Sequence, residues 1–201
     1  MKKKLLAGLA IAVTMFGVQG RANAQDFDFF GTMQYHNDVL MFNFTTATAA
    51  TVTLFSSSWD DGGFDPMLGL WTSAGNLITW QDDGGNSGST VSNGTYYTHG
   101  VWDSYYSADI AAGSYQVSLT TYYNAPKGNT LSAGFDYDFQ APIIIANWDQ
   151  PANGFRTGEY AFHVLNATTA TQNEVPEPAT MILFSTGLAG LAALRRKKNA
   201  C

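Results

Sequence analysis

The sequence predicts an all-β protein, a β-sandwich or jelly roll, with an apolar segment at each end of the chain. Short runs that alternate apolar and polar residues, rich in β-branched and aromatic side chains, recur between residues 40 and 165. Gly, Asn, Asp and Ser separate these runs, as expected for tight turns. No stretch between the two apolar ends sustains the period of an amphipathic helix. Eight or more short strands at this spacing favour two packed sheets.

The first 24 residues have the three parts of a secretory signal peptide. Three lysines follow Met1, and a mostly apolar run extends from Leu5 to Val18. Ala22 and Ala24 then flank Asn23 in a small-x-small cleavage site. We expect cleavage after Ala24, which would export the mature chain.

The expected sandwich occupies residues 25–165, and a polar stretch rich in Thr, Ala, Asn and Gln at 166–174 is the expected linker. Each expected strand is a short run with apolar residues at alternate positions. In chain order these runs lie at residues 40–44, 52–55, 68–71, 77–80, 115–119, 131–139, 143–148 and 160–165.

The charge of the expected exported region is strongly negative. Residues 25–174 carry fifteen acidic side chains against only two basic ones, Lys127 and Arg156, for a net charge of −13. Such a surface repels phosphate backbones, so we expect no nucleic-acid partner. The single cysteine, Cys201, is the last residue, so no disulfide is expected in this region.

Two acidic, glycine-rich loops are the candidate metal site. Asp60, Asp61 and Asp65 lie in the first loop, and Asp82 and Asp83 lie in the second. Several carboxylate oxygens that converge on one point suit a hard cation such as calcium. The alternative is that these Asp-Gly sequences only form tight turns. Neither loop matches the EF-hand pattern, so calcium is a candidate cofactor and no other is expected.

Exposed aromatic side chains are the second candidate for ligand binding. Trp59, Trp80 and Trp102 lie beside carboxylates and amides, a setting in which flat rings stack on sugars. Tyrosine pairs at 96–97, 105–106 and 122–123 each place one ring outward if they lie in strands. The alternative is that these rings fill the core and the sheet edges.

The sequence offers little support for catalysis. His36, His99 and His163 show no metal-ligand spacing, and the segment 85–89 fails the nucleophile-elbow pattern. We therefore expect the protein not to be an enzyme and to have no catalytic residues.

The C-terminal segment combines three features of a membrane-inserted sorting signal. Pro176, Glu177 and Pro178 precede sixteen residues, 179–194, that carry no charge. As a helix these would span roughly 24 Å, somewhat short of a hydrocarbon core of about 30 Å. Four cations follow, and the positive-inside bias would keep them cytoplasmic. They are Arg195, Arg196, Lys197 and Lys198. The alternative is a buried C-terminal core helix.

Residues 175–198 resemble the PEP-CTERM sorting signal in the order of these three features. The resemblance implies a substrate of exosortase, a membrane enzyme that cuts near Pro-Glu-Pro. The chain would be held transiently by a transmembrane helix and then reach the cell surface or the extracellular space.

The order of motifs within residues 31–122 is similar to the pre-peptidase C-terminal type of β-sandwich. An acidic residue, Asp38, opens a strand; Asp65-Pro66 precedes the next apolar pair; and Asp82-Asp83 follow a further strand. The chain departs from the family in lacking the second acid of the opening strand, where Leu40 stands. The resemblance implies the fold more than any ligand.

Together these features predict an exported, exosortase-processed surface or matrix protein whose acidic sandwich interacts with exopolysaccharide or the envelope. One alternative is a calcium-dependent carbohydrate-binding module, which would lose affinity when an exposed ring is removed. The least favoured alternative is a secreted hydrolase, which would show turnover.

Overall fold

A computed structural model describes residues 23–85, 87–150 and 154–173. Ala22, most of the expected signal peptide and the whole segment 174–198 lie outside the described residues. Within the described ranges, no helix is long and apolar enough to cross a membrane.

The described residues form two antiparallel sheets and a separate hairpin. The four-stranded sheet has the order β1-β10-β3-β8, and the five-stranded sheet has the order β11-β2-β9-β4-β5. The hairpin is β6-β7. The strands are β1 (Gln25–Thr32), β2 (Leu40–Thr46), β3 (Ala50–Ser56), β4 (Pro66–Thr72), β5 (Leu77–Gln81), β6 (Gly88–Ser92), β7 (Thr95–His99), β8 (Tyr105–Ile110), β9 (Gly113–Thr121), β10 (Glu159–Ala167) and β11 (Thr169–Gln172). The expected all-β class is confirmed.

The core lies between the two sheets, and strand periodicity fills it. In β2, Leu40, Phe42 and Phe44 are buried while the residues between them are only half-buried. Phe42 reaches across to Phe162 on β10, with ring centroids 4.6 Å apart. The two sheets therefore pack face to face as a sandwich.

The β6-β7 hairpin covers the outer face of the four-stranded sheet. Asn93 and Gly94 both have positive φ, 48° and 80°, as a two-residue type I′ turn requires. The Tyr97 ring packs 4.1 Å from the ring of His163 on β10, and His99 lies 5.5 Å from Phe55 on β3. A second, smaller aromatic cluster is thereby built outside the main core.

Two strand expectations are wrong. Residues 131–139 and 143–148 hold single 3-10 turns, Leu131–Ala133 and Ile145–Asn147, with only isolated bridges. In the first segment the Asp138 carboxylate accepts a hydrogen bond from the Phe135 N–H (2.7 Å), so a side-chain turn replaces strand pairing.

The expected linker at 166–174 is also corrected. Residues Thr169–Gln172 form β11, which pairs with β2 from Thr169↔Thr45 to Gln172↔Phe42. This short polar strand covers β2 and becomes the edge strand on that side of the five-stranded sheet.

Candidate functional site

The β4-β5 hairpin brings three of the predicted acidic residues together. Asp65 directly precedes β4, and Asp82 and Asp83 directly follow β5. Because the two strands are antiparallel, with Leu68 opposite Gln81, both loops lie at the same end of the sheet. One carboxylate oxygen from each of the three side chains lies within 4.8 Å of the others. We call these three residues the acidic cluster.

Asp65 is the unusual member of the acidic cluster. Its residue surface is fully buried. Neither of its carboxylate oxygens, nor Oδ1 of Asp82, has a hydrogen-bond partner among the described residues. A buried carboxylate without a partner is costly, because nothing replaces the water it has lost. This arrangement is the chief anomaly of the fold.

The same geometry shifts the acidities of the cluster. Burial, followed by the charges of Asp83 and Asp82, raises the pKa of Asp65 to about 8. Burial and the charge of Asp83 raise the pKa of Asp82 to about 6. The pKa of Asp83 is raised as well, first by burial and then by Asp103. Desolvation and like charges both oppose ionisation here, and they outweigh the opposing positive charge of Arg156 at Asp65.

Surrounding residues fix the two loops in place. The buried Ser104 hydroxyl donates toward the Pro66 carbonyl (2.6 Å) and also contacts the Asp82 carbonyl, so it joins the start of β4 to the end of β5. A side chain at Gly84 would overlap Tyr105, so only glycine lets this loop pass so closely. The loops are therefore positioned before any ligand arrives.

Gln150 is a further buried residue beside Asp65, and Asn124 is a buried residue of the loop after β9. The Asp65 N–H donates to Gln150 Oε1 (3.2 Å), and the Asn124 side chain accepts from the Tyr137 N–H (2.8 Å). The nearby Asp103 carboxylate is already satisfied, since it accepts from the Ser56 hydroxyl and from the Gly100 N–H. Asp103 was not foreseen from the sequence, and its role here is to hold its own loop.

The acidic cluster suits a hard cation. Calcium–oxygen distances run from about 2.3 to 2.6 Å, so two oxygens on one ion lie at most about 5 Å apart. The 4.8 Å limit within the cluster meets that requirement. Carboxylates alone supply the donor set, which favours calcium or magnesium over thiolate- or imidazole-seeking metals.

Asp60 and Asp61 are not part of this cluster. Both line a cavity of about 640 Å³ that opens between β1, β10 and the β6-β7 hairpin. We call it the hairpin cavity. Its other lining residues include Phe30, Tyr96, Tyr97, Glu159, Ser57 and Ser58. Phe30 is 59% exposed and Tyr96 is 77% exposed.

The three predicted tryptophans lie in different settings. Trp59 is buried, and the Arg156 guanidinium sits 3.4 Å from its ring centroid, so this face is not available to a ligand. Trp102 packs beside Trp59 with centroids 5.9 Å apart. Trp80 is 46% exposed on the edge strand β5.

Sequence analysis missed Phe30 as a cavity residue because β1 was not among the expected strands. Tyr96 and Tyr97 were noted as a pair with one outward ring, but their sequence did not reveal that a hairpin would fold back over the sheet.

Comparison with models of protein families identifies the C-terminal segment. Residues 174–197 match the model of the PEP-CTERM protein-sorting motif. No curated protein matches the chain. The motif indicates export, a C-terminal sorting signal read by an exosortase, and a cell-surface or extracellular fate.

Proposed function

We propose that this exported protein is a surface or matrix component whose β-sandwich binds one calcium ion at the acidic cluster. The main support for this proposal is the fully buried Asp65 carboxylate, whose two oxygens have no hydrogen-bond partner among the described residues. A divalent cation would supply the missing charge and ligation for all three carboxylates at once. The extracellular fate of the protein also fits calcium binding, because that setting is rich in calcium.

We further propose that the exported sandwich contacts extracellular polysaccharide through the hairpin cavity. The exposed rings of Phe30 and Tyr96 offer flat surfaces for sugar stacking, and the neighbouring carboxylates of Asp60, Asp61 and Glu159 accept hydrogen bonds from hydroxyl groups. We also propose that residues 31–122 belong to the pre-peptidase C-terminal type of β-sandwich, which their order of motifs resembles.

Calcium binding is tested by thermal unfolding of the full chain in about 10 mM calcium and in chelator. Extracellular calcium modules bind with Kd near 10⁻⁴ to 10⁻³ M. Calcium should therefore stabilise the fold by about 1.4–2.7 kcal/mol, a rise in Tm of roughly 3–10 °C. Asp65→Asn should abolish the rise.

Asp109→Asn is the matched control, because Asp109 is an acidic residue on β8 that bonds Thr51 away from the cluster. It should keep the full calcium effect. An unchanged Tm of the wild-type chain in calcium, or a calcium effect that survives Asp65→Asn, would refute the metal site.

Polysaccharide binding is tested separately by co-sedimentation with the host's extracellular polysaccharide. Binding in calcium that disappears in chelator would link the two proposals. Binding in neither condition would remove polysaccharide as the partner and leave the cation site intact.

A further inference from the structure

A chain of three hydrogen-bonded side chains crosses the outer face of the four-stranded sheet. His163 Nδ1 lies 2.7 Å from Asp28 Oδ1, and His163 Nε2 lies 2.8 Å from the Ser57 hydroxyl oxygen. His163 is fully buried, and Ser57 is 8% exposed. None of the three belongs to the acidic cluster.

The sheet register sets this arrangement. Asp28 on β1 is directly opposite His163 on β10, and His163 is opposite Phe55 on β3. Ser57 follows β3 and lies two residues beyond Phe55, so its side chain starts from the same face. Its backbone N–H donates to the Ala161 carbonyl (3.1 Å), which continues the strand pairing past the end of β3.

The proton positions follow from what each group can do. An ionised carboxylate only accepts, so His163 Nδ1 carries the proton and donates it to Asp28. Nε2 is then left as an acceptor, and the Ser57 hydroxyl donates to it. The imidazole is thus held in the tautomer that a general base requires.

Hydrogen bonding keeps Asp28 ionised. Burial alone would raise its pKa, but its polar neighbours Ser92, Asn93 and His163 outweigh burial and lower it. Asn93 Nδ2 donates to the second oxygen of Asp28 at 2.9 Å, so the hairpin turn helps to orient this carboxylate.

Aromatic packing keeps the imidazole neutral and still. The Phe55 ring stacks on His163 with centroids 4.4 Å apart, and Tyr97 covers it at 4.1 Å. Burial lowers the pKa of His163 and outweighs the opposing effect of Asp28. A neutral, fixed imidazole is ready to accept a proton near pH 7.

The serine end of the chain opens to solvent through the hairpin cavity. Ser57 and Ser58 both line its wall, whereas Asp28 and His163 do not. A volume of about 640 Å³ is large enough for a small-molecule substrate. The Ser58 N–H donates to no protein group among the described residues, and it follows the hydroxyl as an oxyanion-binding N–H commonly does.

We propose that Ser57 is the nucleophile of an esterase site, with His163 as general base and Asp28 as the positioning residue. This activity goes beyond calcium and polysaccharide binding and depends on neither. It also departs from the sequence-based expectation of a protein without catalysis.

The proposed reaction balances without a cofactor. The Ser57 oxygen forms a bond to the ester carbonyl carbon while its proton passes to His163 Nε2. The carbonyl oxygen becomes an oxyanion beside the Ser58 N–H. The carbon–oxygen bond to the alcohol then breaks, and the alcohol leaves with the proton from His163.

Water completes the turnover. It gives a proton to His163 and bonds to the acyl carbon, the Ser57–acyl bond breaks, and Ser57 regains the proton. The net change is one ester and one water converted to one acid and one alcohol.

The cavity indicates an uncharged ester as substrate. Asp60, Asp61 and Glu159 line it, so anionic esters are repelled. The Phe30 and Tyr96 rings suit an ester whose alcohol or acyl part has a flat apolar face.

The experiment treats the full chain in neutral detergent with a fluorophosphonate probe and, separately, with 4-nitrophenyl acetate. The probe should attach to Ser57, located by mass spectrometry of the labelled peptide. Ser57→Ala should prevent labelling and lower kcat on the ester at least 1,000-fold.

Ser107→Ala is the matched control. Ser107 also makes a hydroxyl hydrogen bond on this sheet, 2.8 Å to Thr53, but it does not line the cavity. It should keep both labelling and turnover. Melting curves of both variants check that they are folded.

The proposal is overturned if the folded wild-type chain takes no label and hydrolyses the ester only at the background rate. It is equally overturned if labelling or hydrolysis persists in Ser57→Ala. The labelling arm uses the wild-type chain, so it does not depend on any variant folding.

Discussion

Two aspartates of this sandwich, the fully buried Asp65 and the half-buried Asp28, have opposite surroundings. Asp65, at the end of the five-stranded sheet, has two carboxylate oxygens without partners among the described residues, and its pKa is raised to about 8. Asp28, on the four-stranded sheet, receives hydrogen bonds from Asn93 and His163, and its pKa is lowered.

Asp65 is more deeply buried than Asp28, and the two carboxylates also differ in their hydrogen-bond partners. Asp28 has protein donors for its charge, so it is stable as an anion and can orient an imidazole. Asp65 faces Asp82 and Asp83 instead, and the charge of Arg156 only partly offsets theirs, so a bound cation would stabilise its ionised form. A buried carboxylate with partners indicates a role inside the protein, and one without partners indicates a ligand.

The largest expected effect comes from Asp28→Asn. The amide would offer the imidazole a donor or an altered tautomer, so we expect kcat on 4-nitrophenyl acetate to fall roughly 10²–10⁴-fold with KM nearly unchanged. The remaining activity should also follow a changed pH profile, which a purely structural role would not produce. Asp109→Asn serves as the control and should keep wild-type kcat. An Asp28→Asn variant with wild-type kcat and pH profile would contradict the role of Asp28 in orienting the imidazole.

The second-largest expected effect is the change in the free energy of unfolding caused by Asp65→Asn. Its sign depends on whether calcium is present. In chelator the change removes an uncompensated buried acid, so the free energy of unfolding should rise by on the order of 2 kcal/mol. In calcium the variant should gain nothing more, while the wild-type chain is stabilised. Chemical denaturation in both conditions measures the two differences. A variant that is less stable than wild type in chelator would mean that Asp65 has a partner in the apo fold.

The smallest effect is the pH dependence of calcium stabilisation. A carboxyl with a raised pKa binds protons in the folded state, and these protons compete with the metal. Because the pKa of Asp65 is about 8 and that of Asp82 about 6, the calcium Kd should weaken at least tenfold between pH 8.5 and pH 5.5. Calcium titrations at the two pH values check this. A pH-independent Kd would remove Asp65 from the ligand set.

Lowering the pH also reduces folding stability through Asp28 and His163, and this effect does not depend on the metal. Both Asp28 and His163 have pKa values lowered in the folded state, so each contributes stability above its unfolded pKa and loses it as pH falls through the folded value. For His163 the loss begins below about pH 6.5. It should be equal in calcium and in chelator, so the difference between the two conditions isolates the acidic cluster.

The local sequence correctly predicted the strands in which apolar and polar residues alternate strongly. Phe42 and Phe44 alternate with polar neighbours and lie in the core as predicted. The β1 strand was missed because its sequence, QDFDFFGT, places few turn residues at its boundaries and breaks the alternation at Phe29 and Phe30. β11 was missed because a short polar strand is recognisable only from the open edge that it covers.

The acidic cluster and the Asp28–His163–Ser57 site likewise differ in how far local sequence predicts them. Asp65, Asp82 and Asp83 are close in sequence and joined by one hairpin, so their convergence could be anticipated from the loops alone. Asp28 lies on β1, His163 on β10 and Ser57 just after β3, and these segments adjoin only through non-local pairing. No local motif marks any of the three. Long-range register is what the sequence does not display.

The most direct measurement is anomalous diffraction from crystals of the protein grown in calcium. We predict one calcium peak within ligand distance, about 2.3–2.6 Å, of oxygens from Asp65, Asp82 and Asp83, and none beside Asp28. A cluster without a peak, or a peak at Asp60 and Asp61 instead, would contradict the view that an uncompensated buried carboxylate marks the ligand site of this sandwich.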